Sequence, residues 1–171
     1  METSDVAAAT IGEKALAEAR RHLGVHESPP GSNRTPFGRW FGVDGVPWCA
    51  IFASYCYDRG AGVVLCRGWR GAGVYPRGVA YVPTLEAWLR AEQYWLDRDE
   101  APHPGDIVVF DWDGGLPDHV GLVERSIGRG RFATIEGNTG IGNDSNGGVV
   151  MRRERSVAQI AGFGRPSNPP H

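Results

Sequence analysis

Apolar positions in the first half of the chain recur at helical spacing. Ile11, Ala15, Leu16, Ala19 and Leu23 share one face, and Thr10 with Glu13 has the form of a capping box. The pattern predicts a helix over 11–23, with Gly24 suited to the left-handed exit. Pro47 fits a first helical turn, and the run from Trp48 to Arg59 reads as a second helix stopping at Gly60. Pro83 opens a third, which carries Leu85, Trp88 and Leu89 and ends before Trp95. The second half then changes period. Ile107–Trp112, Val120–Arg125, Phe132–Glu136, Val149–Arg153 and Ile160–Phe163 are short β-branched or aromatic runs separated by Gly, Asp and Asn. Helices followed by a meander of about five strands is an α+β layout, with N-terminal helices packed on a central antiparallel sheet. Residues 25–46 read as a long ordered loop whose aromatics, Phe37, Trp40 and Phe41, fold back onto the body.

Composition narrows the class. A length of 171 residues suits one domain, over 1–166, followed by a short Pro-rich tail from Ser167 to His171 that is expected to fray. Apolar residues make up 41% and charged residues 22%, which excludes a disordered chain or a coiled coil. Eighteen basic against 20 acidic residues leave a net charge of −2, so there is no electrostatic footprint for nucleic acid. The 25 glycines and 12 prolines signal many turns. They form no phosphate-binding fingerprint, because Pro76 stands where Gly71-Ala72-Gly73 would need its third glycine. Glu2, Asp5, Glu13, Lys14 and Arg20 interrupt the N-terminus, unlike a secretory signal. The longest uncharged apolar-rich stretch, Val46 to Tyr57, is too short to span a bilayer. The expectation is a protein made in the cytoplasm without a signal peptide.

Three cysteines without a CxxC pair give neither a disulfide framework nor a zinc site. Cys49 stands at the start of the second helix, where free N–H groups and the helix dipole favour a negatively charged sulfur. Its own N–H there can meet an oxyanion. The plainer alternative is a small buried hydrophobe. Cys56, seven residues on, shares the helical face and is expected inside; Cys66 reads equally as exposed, structural or paired with Cys56. A thiolate nucleophile needs a base. Of His22, His26, His103, His119 and His171, only His119 opens a strand, which would hold its ring rigidly. Glu136 ends the strand Phe132–Glu136, and Asn138 follows at i+2, on the same side of an extended chain. If 120–125 and 132–136 form a hairpin turning near Gly128–Gly130, position 136 returns beside position 119. The alternative for Glu136 is a solvated strand end.

These residues resemble a family. Gly45-Val46-Pro47-Trp48-Cys49-Ala50, Pro104-Gly105-Asp106-Ile107-Val108-Val109-Phe110, Asp118-His119-Val120-Gly121 and Glu136-Gly137-Asn138 look like CHAP, the cysteine, histidine-dependent amidohydrolases/peptidases. Gly31-Ser32-Asn33 adds to the likeness, which runs from about Ala15 to Pro166. Trp48 before the cysteine and Glu136 as third member differ from the related NlpC/P60 pattern. The resemblance implies a papain-like fold, with Cys49 as nucleophile, His119 as base, Glu136 orienting the ring and Asn138 as a supporting polar group. It implies cleavage of an amide or peptide bond in bacterial peptidoglycan, at the stem peptide or cross-bridge, without a cofactor. Asn33, Phe41, Trp48 and Trp112 are candidate substrate contacts, and Arg34 or Arg39 could meet a stem-peptide carboxylate; aromatics in the core and arginines on the surface fit equally. Glu27 and Asp44 are the only acids over 25–48, too sparse for a calcium loop, so no metal is expected. A monomeric phage endolysin released through a holin fits best. An effector passed through a secretion system, a cytosolic thiol amidase on a γ-glutamyl or polyamine conjugate, and a catalytically silent binding module are the alternatives.

Overall fold

The computed structural model describes residues 7–167. The residues of the expected tail beyond Ser167, and the acids Glu2 and Asp5, lie outside them. Helix α1 spans Ile11–Arg20, with the Thr10 hydroxyl accepting the Glu13 N–H. The following residues turn rather than extend the helix to 23. The expected loop contains a short helix, α2 (Pro36–Phe41), which the sequence reading missed. Thr35 caps it by accepting from the Gly38 N–H, and Gly42 closes it at φ 98°. Its Phe37 stacks on Trp48 and meets Phe52 edge-on, so the loop aromatics do return to the body.

Helix α3 runs Cys49–Ala61 and ends at Gly62 in the left-handed conformation. Gly60 is therefore inside the helix. A Cβ there would sit 2.5 Å from the Lys14 carbonyl, so this glycine lets α1 approach α3. A two-stranded ribbon, β1 (Val74–Tyr75) and β2 (Gly78–Val79), leads to α4 (Val82–Ala91), with Pro83 in its first turn. Five further strands were expected, and six are present: β3 (Trp95–Asp97), β4 (Ile107–Phe110), β5 (His119–Gly128), β6 (Arg131–Thr139), β7 (Val149–Ser156) and β8 (Ile160–Gly164). They form one antiparallel sheet in the order β3-β8-β4-β5-β6-β7.

The main core lies between the helices and one sheet face, where Ile51, Phe52 and Ala53 of α3 join Ile107, Val109, Val120, Leu122 and Ile135. Val108, Phe110, Val123, Phe132, Ile160 and Phe163 form a smaller cluster. Both alternating sets of β4 are thus buried, which explains its unbroken apolar run. Among the described residues no helix is long and apolar enough to cross a membrane.

Candidate active site

Cys49 is the first residue of α3, with Trp48 in the N-cap position. The N–H groups of such a first turn have no carbonyl within the helix to bond. Trp48 itself is fully buried; its indole N–H donates to Glu27 Oε2 at 3.3 Å, and Glu27 Oε1 accepts from the Gly31 N–H. The 25–31 segment is thereby tied to the entrance of α3. Cys49 is 7% exposed, the one cysteine with an opening to solvent, since Cys56 and Cys66 are both fully buried. All three thiols are free, which removes the Cys56–Cys66 pairing. Burial pushes the Cys56 thiol well up and the Cys66 thiol to about 12.

His119 is the first residue of β5 and fully buried. Its Nε2 lies 2.9 Å from Glu136 Oε1. Its Nδ1 is buried without an ordinary hydrogen-bond partner, and the other side chain acting on the ring is Cys49. Burial alone would depress the His119 pKa; the charge and hydrogen bonding of Cys49, then those of Glu136, outweigh it and raise the value to about 9. Phe110 and Trp112, stacked on each other at 5.3 Å, also both lie near-parallel to the imidazole, each with centroids 5.7 Å away. The ring is held by planes as well as by a hydrogen bond.

The hairpin register differs from expectation by two residues. Leu122 pairs with Ile135, so Glu136 lies opposite Gly121, not beside position 119. The carboxylate reaches His119 diagonally, across the glycine. A Cβ on Gly121 would come 2.5 Å from Glu136 Cγ, so the absence of a side chain clears this path. Asn138 departs further. A register shift after Glu136 and a φ of 58° turn it out of the extended pattern. Its Oδ1 accepts from the Gly148 N–H at 3.0 Å, and its Nδ2 donates to Asn146. Asn138 thus braces the loop over 140–148 rather than the imidazole.

The residue that sequence reasoning missed is Arg155. The expected strand stopped at Arg153, whereas β7 continues to Ser156. Arg155, 3% exposed, places Nε 2.9 Å from Glu136 Oε2 and Nη2 2.7 Å from Oε1, a two-pronged pair. Thr134 Oγ1 also donates to Oε2. Burial disfavours the Glu136 anion, but Arg155 and His119 outweigh it and hold the carboxyl down to about 2. A buried carboxylate demands such a cation. Position 155 lies on the same side of β7 as 151 and 153, the signal that could have found it.

Cys49 opens onto a groove of about 500 Å³, walled by Val46, Pro47, Tyr75, Tyr81, Pro117 and Ser145 among others. Two candidate substrate contacts are corrected here. Trp48 and Phe41, at 0% and 3% exposure, are core residues packed against Phe37 and Tyr75 respectively. Trp112 stacks on His119, and neither it nor Asn33 is among the residues that line the groove. Asp111, Asp113 and Asp118 bring carboxylate oxygens within 4.8 Å of one another near the groove. They accept the N–H groups of Trp112, Asp113, Gly114 and Gly115, so this loop is built on its own carboxylates.

The sequence profile of the CHAP domain matches residues 41–138, more than half the chain. The chain belongs to the CHAP family. Solved structures agree on the fold. Ly7917 superposes with a TM-score of 0.52 at 19% identity, over 91% of this chain and 61% of that one. The endolysin LysIME-EF1 gives 0.50 at 14% identity, over 93% and 65%. A second Ly7917 structure, with the hydrolyzing product of MDP, also scores 0.50, at 20% identity over 89% and 61%. The chain spans just under two thirds of the length of these relatives. No curated protein matches it. This CHAP domain therefore has the papain-like α+β arrangement, in which the cysteine heads a helix and the histidine opens a strand of the sheet.

Proposed function

We propose that this CHAP domain is a peptidoglycan hydrolase that cleaves an amide or peptide bond through a cysteine nucleophile. One observation carries the reading: the Cys49 thiol, open to an apolar groove, acts on a buried imidazole whose far nitrogen is fixed by an ionised carboxylate. Ly7917, of the same fold, is described with a hydrolysis product of MDP. In the proposed mechanism Cys49 Sγ attacks the carbonyl carbon, and the oxygen that becomes negative meets the Cys49 N–H at the start of α3. His119 Nδ1 holds the proton taken from the thiol and gives it to the leaving amine. A water then loses its proton to His119, attacks the thioester, and releases the acid and the thiol. Glu136 holds the ring in the orientation this transfer needs. Access to the wall would come through a holin or a secretion partner, with phage release the preferred setting.

Incubation with isolated cell walls tests the reading. Turbidity should fall, with new amino and carboxyl termini in the soluble fragments, and Cys49→Ala protein should produce neither. Release of reducing sugar ends without new amino termini would overturn it.

A further inference from the structure

Glu136 sits between two cations, and only one of them takes part in the proposed chemistry. If His119 gives up its proton during turnover, Glu136 would be left as a buried anion at that moment. The penalty for an unpaired charge in such a place is large. Arg155 meets both Glu136 oxygens and cannot itself be deprotonated. Its guanidinium also lies over Phe110 and Trp112, 5.2 and 5.4 Å from their centroids, the two rings that pack against His119. Its remaining nitrogen, Nη1, is 3.0 Å from Asp144 Oδ1, which Arg153 also holds, at 2.8 Å. Arg155 is therefore oriented by three groups, Phe110, Trp112 and Asp144, besides the carboxylate it holds.

Resting on the proposed cysteine mechanism, we propose that Arg155 is the positioning residue of this site, keeping Glu136 ionised and aimed at His119 in both protonation states of the imidazole. The charged and titratable groups acting on the pair are Cys49 from α3, Arg155 from β7 and, beyond it, Asp144 from the 140–148 loop. Asp118 precedes His119 in the chain and bonds the Trp112 N–H. The structure already holds Glu136 in the anionic form. Without Arg155 that anion would keep only His119 and the neutral Thr134 hydroxyl, and would take up a proton at higher pH.

The test compares Arg155→Met, Arg155→Lys, Glu136→Gln and the Arg155→Met/Glu136→Gln double variant. Two pH profiles are read: hydrolysis of isolated walls and alkylation of Cys49 by iodoacetamide, located by peptide mass. Arg155→Met should move the acid limb of both profiles up by about one pH unit or more. Arg155→Lys, which keeps the charge and loses the fork, should move it back toward the wild type. In the Glu136→Gln background, removing Arg155 should leave the limb where it was, because no carboxylate remains to be held. A wild-type acid limb in folded Arg155→Met protein would overturn the proposal. So would a shift that persists in the Glu136→Gln background. Should Arg155→Met fail to fold, the lysine and double variants still decide. Alkylation needs no substrate, so a wild-type protein inactive on walls would end the functional reading while Arg155 remained measurable.

Discussion

Glu136 has every oxygen spoken for, by His119 and Arg155 on Oε1 and by Arg155 and Thr134 on Oε2. Its reach depends on a residue with no side chain at all. Gly121→Ala would put a methyl 2.5 Å from Glu136 Cγ and 3.2 Å from the Ile135 carbonyl, in a buried strand that cannot yield freely. The carboxylate would be pushed from the imidazole. Wall hydrolysis should fall on the order of 10²-fold, the cost of about 1 Å of misplacement, with the melting transition still cooperative. The three site residues should also separate by size of effect. Cys49→Ala should abolish turnover, and His119→Ala should cost at least about 10²-fold, as loss of a general base does. Glu136→Gln should be milder, because an amide oxygen still accepts from the ring. It should also lower the melting temperature, since Arg155 loses its carboxylate. Kinetics and calorimetry on the same preparations check both halves. Equal losses for Glu136→Gln and Cys49→Ala would give Glu136 a direct chemical part.

At the scale of elements, helix α3 bears directly on the sheet through Gly137. A Cβ at that position would lie 2.6 Å from the Phe52 Cβ and 2.8 Å from its Cγ. Gly137→Ala should therefore destabilise by about 1–3 kcal/mol, the usual cost of overpacking, as a denaturant midpoint would show. It should also reduce activity, because α3 carries Cys49 and β6 carries Glu136. This contact was not legible in the sequence, where Gly137 reads only as the middle of the Glu136-Gly137-Asn138 step beyond the strand. What was legible was whatever rests on local pattern. Short β-branched or aromatic runs between turn residues gave β4 to β8 to within a few residues, with β7 running on to Ser156. Helical spacing and caps placed the starts of α1 and α3. His119 and Glu136 meet through a different register from the expected one, because the hairpin turns late, between Gly128 and Arg131, and the bulges near Val123–Arg125 and Ser126–Gly128 recover only part of the offset. Those bulges are set by three-dimensional packing and leave no mark on hydrophobic alternation. Trp48 and Phe41 were open to either reading, and burial was decided by α2, an element too short to show its period.

For the whole molecule, buried charge sets the pH range over which the fold is stable. Glu124 accepts from Arg152, its strongest partner, and from Arg20, and these hold its carboxyl down to about 2. Glu136 lies as low for its own reasons. Each is more acidic folded than unfolded, so the stability it contributes is complete above the ordinary carboxylate value and drains away as pH falls toward about 2. His119 acts with the opposite sign. Its pKa is raised to about 9, so its contribution is complete below the ordinary histidine value near 6.5 and is lost as pH climbs through about 9. The urea midpoint of the wild-type protein should therefore trace a dome. It should fall on the acid side below about pH 4.5, where both carboxylates begin to bind protons on unfolding, and again on the alkaline side between about 6.5 and 9. Two substitutions assign the flanks. Glu124→Gln should flatten the acid fall and leave the alkaline one, since Glu124 bonds to the arginines of α1 and β7 and not to the groove. His119→Gln should flatten the alkaline fall. An alkaline limb unchanged in folded His119→Gln protein would show that the imidazole is not the group being titrated, and would remove the raised His119 pKa from the account of the site.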